Sequence, residues 1–235
     1  MAKMSAVSGK FLRWLLVAVC LVLAVVIITQ QFSSWYTADG QNSLPDIVYS
    51  FHDKPKAPIE LSAGPCRAKR ECPADQFSFY IHSGAANVVP PVVCIQNKLV
   101  LGAALNNAGG GINIVVVNGK TEEVLKTDRF NMYSGEVKPL IDFLNIIEKG
   151  SIVIIASYDE PSTKLNDEAR KLIADLGSSA ISSVGYRDNW VFVGAKGATL
   201  KTPFEKHLKN EEEKNKYDGW PEMIELYGCV PKYLE

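Results

Sequence analysis

Apolar and polar positions along the chain alternate or cluster in ways that separate strands from helices. Gln76 to His82 (QFSFYIH) sets Phe77, Phe79 and Ile81 on one side of a period-2 repeat, the mark of a half-buried strand with His82 as its ordinary polar end. Pro90-Pro91 exclude a central strand before Val92 and set an extended approach to the apolar run that holds Cys94. Ile112 to Val117 is a β-branched run broken by one polar residue, Asn113, and Asn118-Gly119 behind it predicts a type I′ turn into an antiparallel partner, Glu123 to Phe130. Ser134-Gly135-Glu136 opens a helix with Val137, Leu140, Ile141, Leu144 and Ile147 on one face and a stop at Lys149-Gly150. A short buried strand, Ile152 to Ala156, then runs into Ser157-Tyr158-Asp159-Glu160-Pro161, and a second helix, Leu165 to Leu176, ends at Gly177. Gly185 to Gly194 (GYRDNWVFVG) reads as a strand with a polar entry. Lys206 to Lys216 reads as a solvated charge run, and 217–221 as a turn ahead of Glu222 to Tyr227, a short strand or helix.

Upstream of these elements, Lys3, Lys10 and Arg13 precede an uncharged apolar run from Trp14 to Ile28, the pattern of a targeting segment. We read 1–30 as a signal peptide or signal anchor, with cleavage and secretion favoured over a retained type II anchor in the Golgi or at the cell surface. Residues 31–64, with Pro45, Pro55 and Pro58 and no sustained periodicity, read as a linker; 65–231 is the folded domain and 232–235 a tail. The route through the endoplasmic reticulum and Golgi is oxidising. Setting Cys20 aside, Cys66, Cys72, Cys94 and Cys229 make two disulfides with three possible pairings, and one of them must tie Cys229 to the start of the domain. No C-x-x-C pair occurs and the three histidines are scattered, so no metal is expected.

Charge narrows the field further. With 25 basic against 26 acidic residues and no block of either sign, nothing marks a nucleic-acid footprint. Gly109-Gly110-Gly111 opens a β-branched run and not a helix, which argues against a phosphate loop. Catalytic signatures are missing too, and the sequence neighbours Asp159 and Glu160 make a poor pair of opposed carboxylates, so we expect no enzyme and no cofactor. Asp167 and Glu168 suit the first turn of a helix. Asp159 and Arg187 stand out, at the polar ends of neighbouring segments. A carboxylate beside a guanidinium accepts from and donates to sugar hydroxyls, and an aromatic ring would cover a sugar's apolar face. On residue type alone an Asp-Arg structural salt bridge is the simpler reading.

Six motifs change that balance: SGAANVV (83–89), GINIVVVNG (111–119), SYDEPSTKLNDEARKLIADLGS (157–178), GYRDNWVFVGAKG (185–197), TPFEKHLKN (202–210) and NKYDGWPEMIELYGCVP (215–231). Together they resemble the family with sequence similarity 3, cytokine-like secreted proteins that include an interleukin-like inducer of epithelial-mesenchymal transition and a pancreatic-derived factor, and they sit nearest the former. The resemblance implies an α+β fold, a β-β-α sandwich of two antiparallel sheets edged by short helices, with disulfides Cys66-Cys94 and Cys72-Cys229. It implies a GG-type lectin domain holding a sugar without metal through Asp159 and Arg187, with glycans or glycoproteins and a cell-surface receptor as partners. The alternatives are an anchored Golgi or cell-surface lectin-like protein, in contact with membrane only through the uncleaved N-terminal segment, and a purely protein-binding secreted signal. Val193 replaces the family's usual free cysteine, which excludes a dimer through a cysteine at that position. Gly110 replaces an arginine, Asn131 and Glu136 replace the two aspartates of the family's D-M-x-x-G-D, and Pro90 replaces a glycine.

Overall fold

The computed structural model describes residues 60–61, 64–66, 68–69 and 71–232; the N-terminal apolar run and most of the segment read as a linker lie outside the described residues. A two-residue ribbon comes first: β1 (Glu60–Leu61) pairs antiparallel with β2 (Ala68–Lys69). Then come β3 (Gln76–His82), β4 (Val92–Ile95), β5 (Lys98–Leu101), β6 (Gly111–Asn118), β7 (Val124–Phe130), α1 (Lys138–Asn145), β8 (Ser151–Tyr158), α2 (Asp167–Ala174), β9 (Asn189–Ala195), β10 (Glu205–Leu208) and β11 (Glu225–Pro231). They build a five-stranded sheet ordered β10-β9-β8-β6-β7 and a four-stranded sheet ordered β11-β3-β4-β5, with antiparallel pairing throughout.

Two apolar layers account for the long hydrophobic runs. Strands β6, β8 and β9 are covered on both faces, so they lose the polar alternation of a half-exposed strand. Ile112, Ile114, Val116, Val153, Ile155, Trp190 and Phe192 face α1 and α2. Val115, Val117, Ile152, Ile154, Ala156, Val191 and Val193 face Phe77, Phe79, Ile81 and Val93 of the other sheet. The order of layers is therefore helices, five-stranded sheet, four-stranded sheet. Each fully buried aliphatic side chain in these layers contributes about 1.5–3 kcal/mol of transfer free energy.

Both disulfides fall on the four-stranded sheet. Cys66 joins Cys94 of β4, and Cys72 joins Cys229 of β11, where β11 lies against β3 with Cys229 opposite Ser78. Helix α2 follows its sequence signals: Asn166 caps it by accepting from the Ala169 N–H at 2.9 Å, Asp167 and Glu168 occupy the first turn, and Gly177 takes φ +104° after its end.

Three expectations need correction. The β6–β7 connection is not a two-residue turn. Asn118 Oδ1 accepts from the N–H groups of Lys120 and Thr121, Glu122 takes φ +65°, and the strands close through Asn118 N–H to Glu123 carbonyl at 2.8 Å. The first helix starts at Lys138, with Pro139 in its first turn, because the proline ring fits only where no N–H is required. Its regular part ends at Asn145, and Gly150 (φ +88°) instead turns the chain into β8. Finally, part of the charge run is a strand: Glu205 to Leu208 pairs with Phe192 to Asn189. Its side chains alternate in burial without an apolar pattern, since Glu205 and His207 turn inward to bond polar groups.

Candidate functional site

The register of the five-stranded sheet brings the polar ends of three strands together. Gly111 at the start of β6 lies opposite Tyr158 at the end of β8, and the β8–β9 pairing runs towards Asn189, so Asp159 and Arg187 emerge at one end of neighbouring strands. Asp159 takes φ +60° and Arg187 φ +59°, left-handed backbone that aspartate tolerates and that is sterically costly for arginine.

Asp188 holds the Arg187 turn in place. Its carboxylate accepts from the Gly185 N–H at 2.8 Å and the Asn210 N–H at 2.7 Å, and its Oδ2 lies 2.7 Å from His207 Nε2 on β10. Burial acts to raise this carboxyl, but the His207 contact and the two N–H groups outweigh it and hold Asp188 below the ordinary carboxylate range. Asn189 donates to the carbonyls of Pro221 and Glu222 at 3.3 and 2.7 Å, and this fastens the 217–222 turn to β9. Asp188 and Asn189, both buried, are thus spent inside the protein.

That fastened turn carries Trp220. The guanidinium carbon of Arg187 sits 3.9 Å from the Trp220 ring centroid and 4.9 Å from that of Tyr186. The Trp220 indole N–H donates to the Asp159 carbonyl at 3.2 Å, so one aromatic residue touches both members of the pair. Asp159 and Arg187 form no ion pair with each other among the contacts of the described residues. Arg187 Nε is buried with no hydrogen-bond partner, a group that costs free energy unless something supplies an acceptor.

The rest of the rim is built from the β6 and β8 ends. Buried Asn113 accepts from the Gly109 N–H and donates to the Gly109 carbonyl, both at 2.8 Å, and so fixes the glycine loop. Gly110 is exposed beside Asp159: a side chain there would start 3.8 Å from Asp159 Oδ2, at ordinary contact distance. Tyr158 donates to the Asn87 carbonyl at 2.9 Å; burial first, and the Asp159 charge second, push its phenol up. Glu160 is buried and takes the N–H groups of Ser162 and Thr163 and the Ser162 hydroxyl, which makes it a loop cap.

Trp220, Tyr186 and the Asp188–His207 contact were not identified from residue spacing. Trp220 stands in Gly219-Trp220-Pro221, where the small and rigid neighbours read as turn chemistry. The close fit is visible only in space, since a Cβ on Gly219 would come within 2.7 Å of the Arg187 guanidinium.

Comparison with known proteins identifies the family. The family model described as "Interleukin-like EMT inducer" matches residues 110–198, which hold Asp159 and Arg187. "Protein FAM3C" of Danio rerio is 57% identical over 166 residues, 71% of this chain and 73% of the relative. "Protein FAM3D" of Homo sapiens is 49% identical over 177 residues, 75% of this chain and 79% of the relative. With "Protein FAM3C" of Xenopus tropicalis the match reaches 227 residues at 44% identity, 95% of this chain and 96% of the relative. At such identity and coverage, the chain belongs to the FAM3 family.

Proposed function

We propose that the chain is a secreted, cytokine-like signalling protein whose domain binds glycans without a metal through Asp159 and Arg187. Family membership supports the cytokine-like part. Support for the glycan part comes above all from one observation: Arg187 lies against Trp220, unpaired with Asp159, and keeps a buried Nε without an acceptor. A structural salt bridge would have joined the two side chains. Instead they leave a donor fork, an acceptor carboxylate and an aromatic edge next to one another, the complement that polyhydroxylated rings require. Glu160, tied into its own loop, is not free to act with Asp159 as an acid-base pair, in keeping with a binding protein and not an enzyme.

The test is a glycan array probed with the folded domain, wild type against Arg187→Ala. Selective signal lost on substitution supports the reading; no selective signal, or one that survives, overturns it. The N-terminus of protein collected from conditioned medium, read by mass spectrometry, tests secretion separately: a start beyond Ile28 is expected.

A further inference from the structure

Residues 67 to 70 read Arg-Ala-Lys-Arg, followed by Glu71. Three cations in four positions, with arginine at the first and last, match acid-lined subsites of the subtilisin-like endoproteases that process proteins along the secretory route. The chain has one other adjacent basic pair, Arg170-Lys171. There the backbone is helical, and the Arg170 guanidinium donates to the carbonyls of Ile181 and Val184. A protease cleft takes its substrate as an extended strand, which excludes that helix.

The surroundings of the 67–70 motif differ. Ala68 and Lys69 are extended and, among the described residues, pair over two rungs with Leu61 and Glu60. Gly64 and Pro65 on one side, and Glu71, Pro73 and Ala74 on the other, are exposed. A two-residue strand pairing flanked by exposed residues opens at low free-energy cost, and such segments concentrate proteolytic nicking.

We propose that the Arg70–Glu71 peptide bond is a processing site for a basic-specific subtilisin-like endoprotease, and that its cleavage yields a disulfide-linked two-chain protein. Water adds across the bond, leaving a carboxylate on Arg70 and a new amino terminus on Glu71. The scissile bond lies between Cys66 and Cys72, which belong to different disulfides, Cys66–Cys94 and Cys72–Cys229. Everything up to Arg70 therefore stays attached through Cys66, whose disulfide is buried with Tyr80 on the outer face of the four-stranded sheet. Cleavage alone does not free the domain from its N-terminal part; reduction of Cys66–Cys94 is required as well. Encountering such a protease in cells rests on the secretion reading, whereas the susceptibility of the folded chain does not.

The experiment incubates the purified, disulfide-bonded full chain with a subtilisin-like convertase that cuts after Arg-X-Lys-Arg. Expected are one species at the intact position without reductant, two fragments after reduction, and a new terminus at Glu71 by mass spectrometry. Arg70→Ala abolishes the cut and Arg67→Ala slows it about tenfold, the loss of one charge-assisted contact, while both variants retain the intact-chain mass of a two-disulfide protein. No cut after Arg70 in the disulfide-bonded chain, a dominant cut elsewhere, or fragments that separate without reductant would each overturn the proposal. A parallel expression in cells reads secretion alone: a chain that stays inside yet is cut in vitro sinks the secretion reading and leaves the site standing.

Discussion

The guanidinium of Arg187 rests 3.9 Å from the ring of Trp220, which in turn donates its indole N–H to the carbonyl of Asp159. One side chain thereby sets both the attitude of the donor and the backbone of the acceptor. Trp220→Phe keeps an aromatic face and loses the hydrogen bond, for an expected cost of about 0.5–1.5 kcal/mol. Trp220→Ala also forfeits the cation–π contact, about another 0.5–2 kcal/mol, and weakens glycan binding more than the Phe variant does. Urea denaturation and glycan titration on both variants check this. Equal losses in the two would show that the ring stack contributes nothing.

Gly110 sets how open the acceptor side is. Its backbone is outside the left-handed region and a side chain there meets Asp159 only at ordinary contact distance, so substitution is sterically allowed. Gly110→Arg brings a cation to the Asp159 carboxylate. Expected is a melting temperature within a few degrees of wild type, as for exposed substitutions of about 0.5 kcal/mol or less, with weaker binding of neutral glycans because Asp159 is then paired. Gly110→Ala, which adds no charge, should bind as wild type does; an equal loss in Ala and Arg variants would trace the effect to crowding instead.

Much of the scaffold was legible because burial leaves a plain trace in sequence. The centres of β6, β8 and β9 are largely β-branched or aromatic since both faces are covered, and the apolar stripes of α1 and α2 name the residues that pack. Strand β10 was not legible: Glu205 is half-buried only because Ser178, Ser179, the Ala180 N–H and Trp190 Nε1 converge on its carboxylate, and no local pattern records such distant partners. The Asn118 loop was misread because its side chain bonds forward to two N–H groups, a competitor to the I′ turn that the dipeptide alone does not reveal. As for the site, residue type and position picked out Asp159 and Arg187 and resemblance gave them a sugar-binding role, whereas Trp220 lies far along the chain and meets them only through the turn that Asn189 fastens. Left-handed backbone at an arginine has no sequence signature at all.

The two disulfides differ in what they constrain. Cys66–Cys94 spans 28 residues and Cys72–Cys229 spans 157. In the chain-entropy description, closing these loops is worth about 3.5 and about 5 kcal/mol respectively. Cys72→Ser with Cys229→Ser should therefore destabilise the domain more than Cys66→Ser with Cys94→Ser, and should loosen β11 from β3 first. Urea midpoints rank the two; amide exchange at Leu226 to Val230 locates the loosening. The reverse ranking would mean that native packing around Cys66 and Tyr80 outweighs loop length.

Asp188 supplies the pH dependence of this end of the sheet. Its side chain is 6% exposed and that of His207 12%, so the contact is barely screened by solvent. Because the folded carboxyl is held below its ordinary value, the folded state binds the proton less readily than the unfolded chain does. The resulting stabilisation is complete above the unfolded value of about 3.9 and is lost as pH falls through the lower folded value. Glu205 acts in the same direction: burial opposes its ionisation, yet the Ser178 and Ser179 hydroxyls, the Ser179 N–H and the Trp190 indole more than compensate. Asp188→Asn removes the charge and turns a donor towards groups that already donate, at an expected cost near neutral pH of about 2–3 kcal/mol. Its stability should then fall less steeply than wild type below about pH 4, while Arg187, released from the ordered turn, binds glycan more weakly at neutral pH. Denaturation midpoints from acid to neutral pH, with glycan titration at neutral pH, test both parts; an acid limb as steep in Asp188→Asn as in wild type would assign the dependence to Glu205.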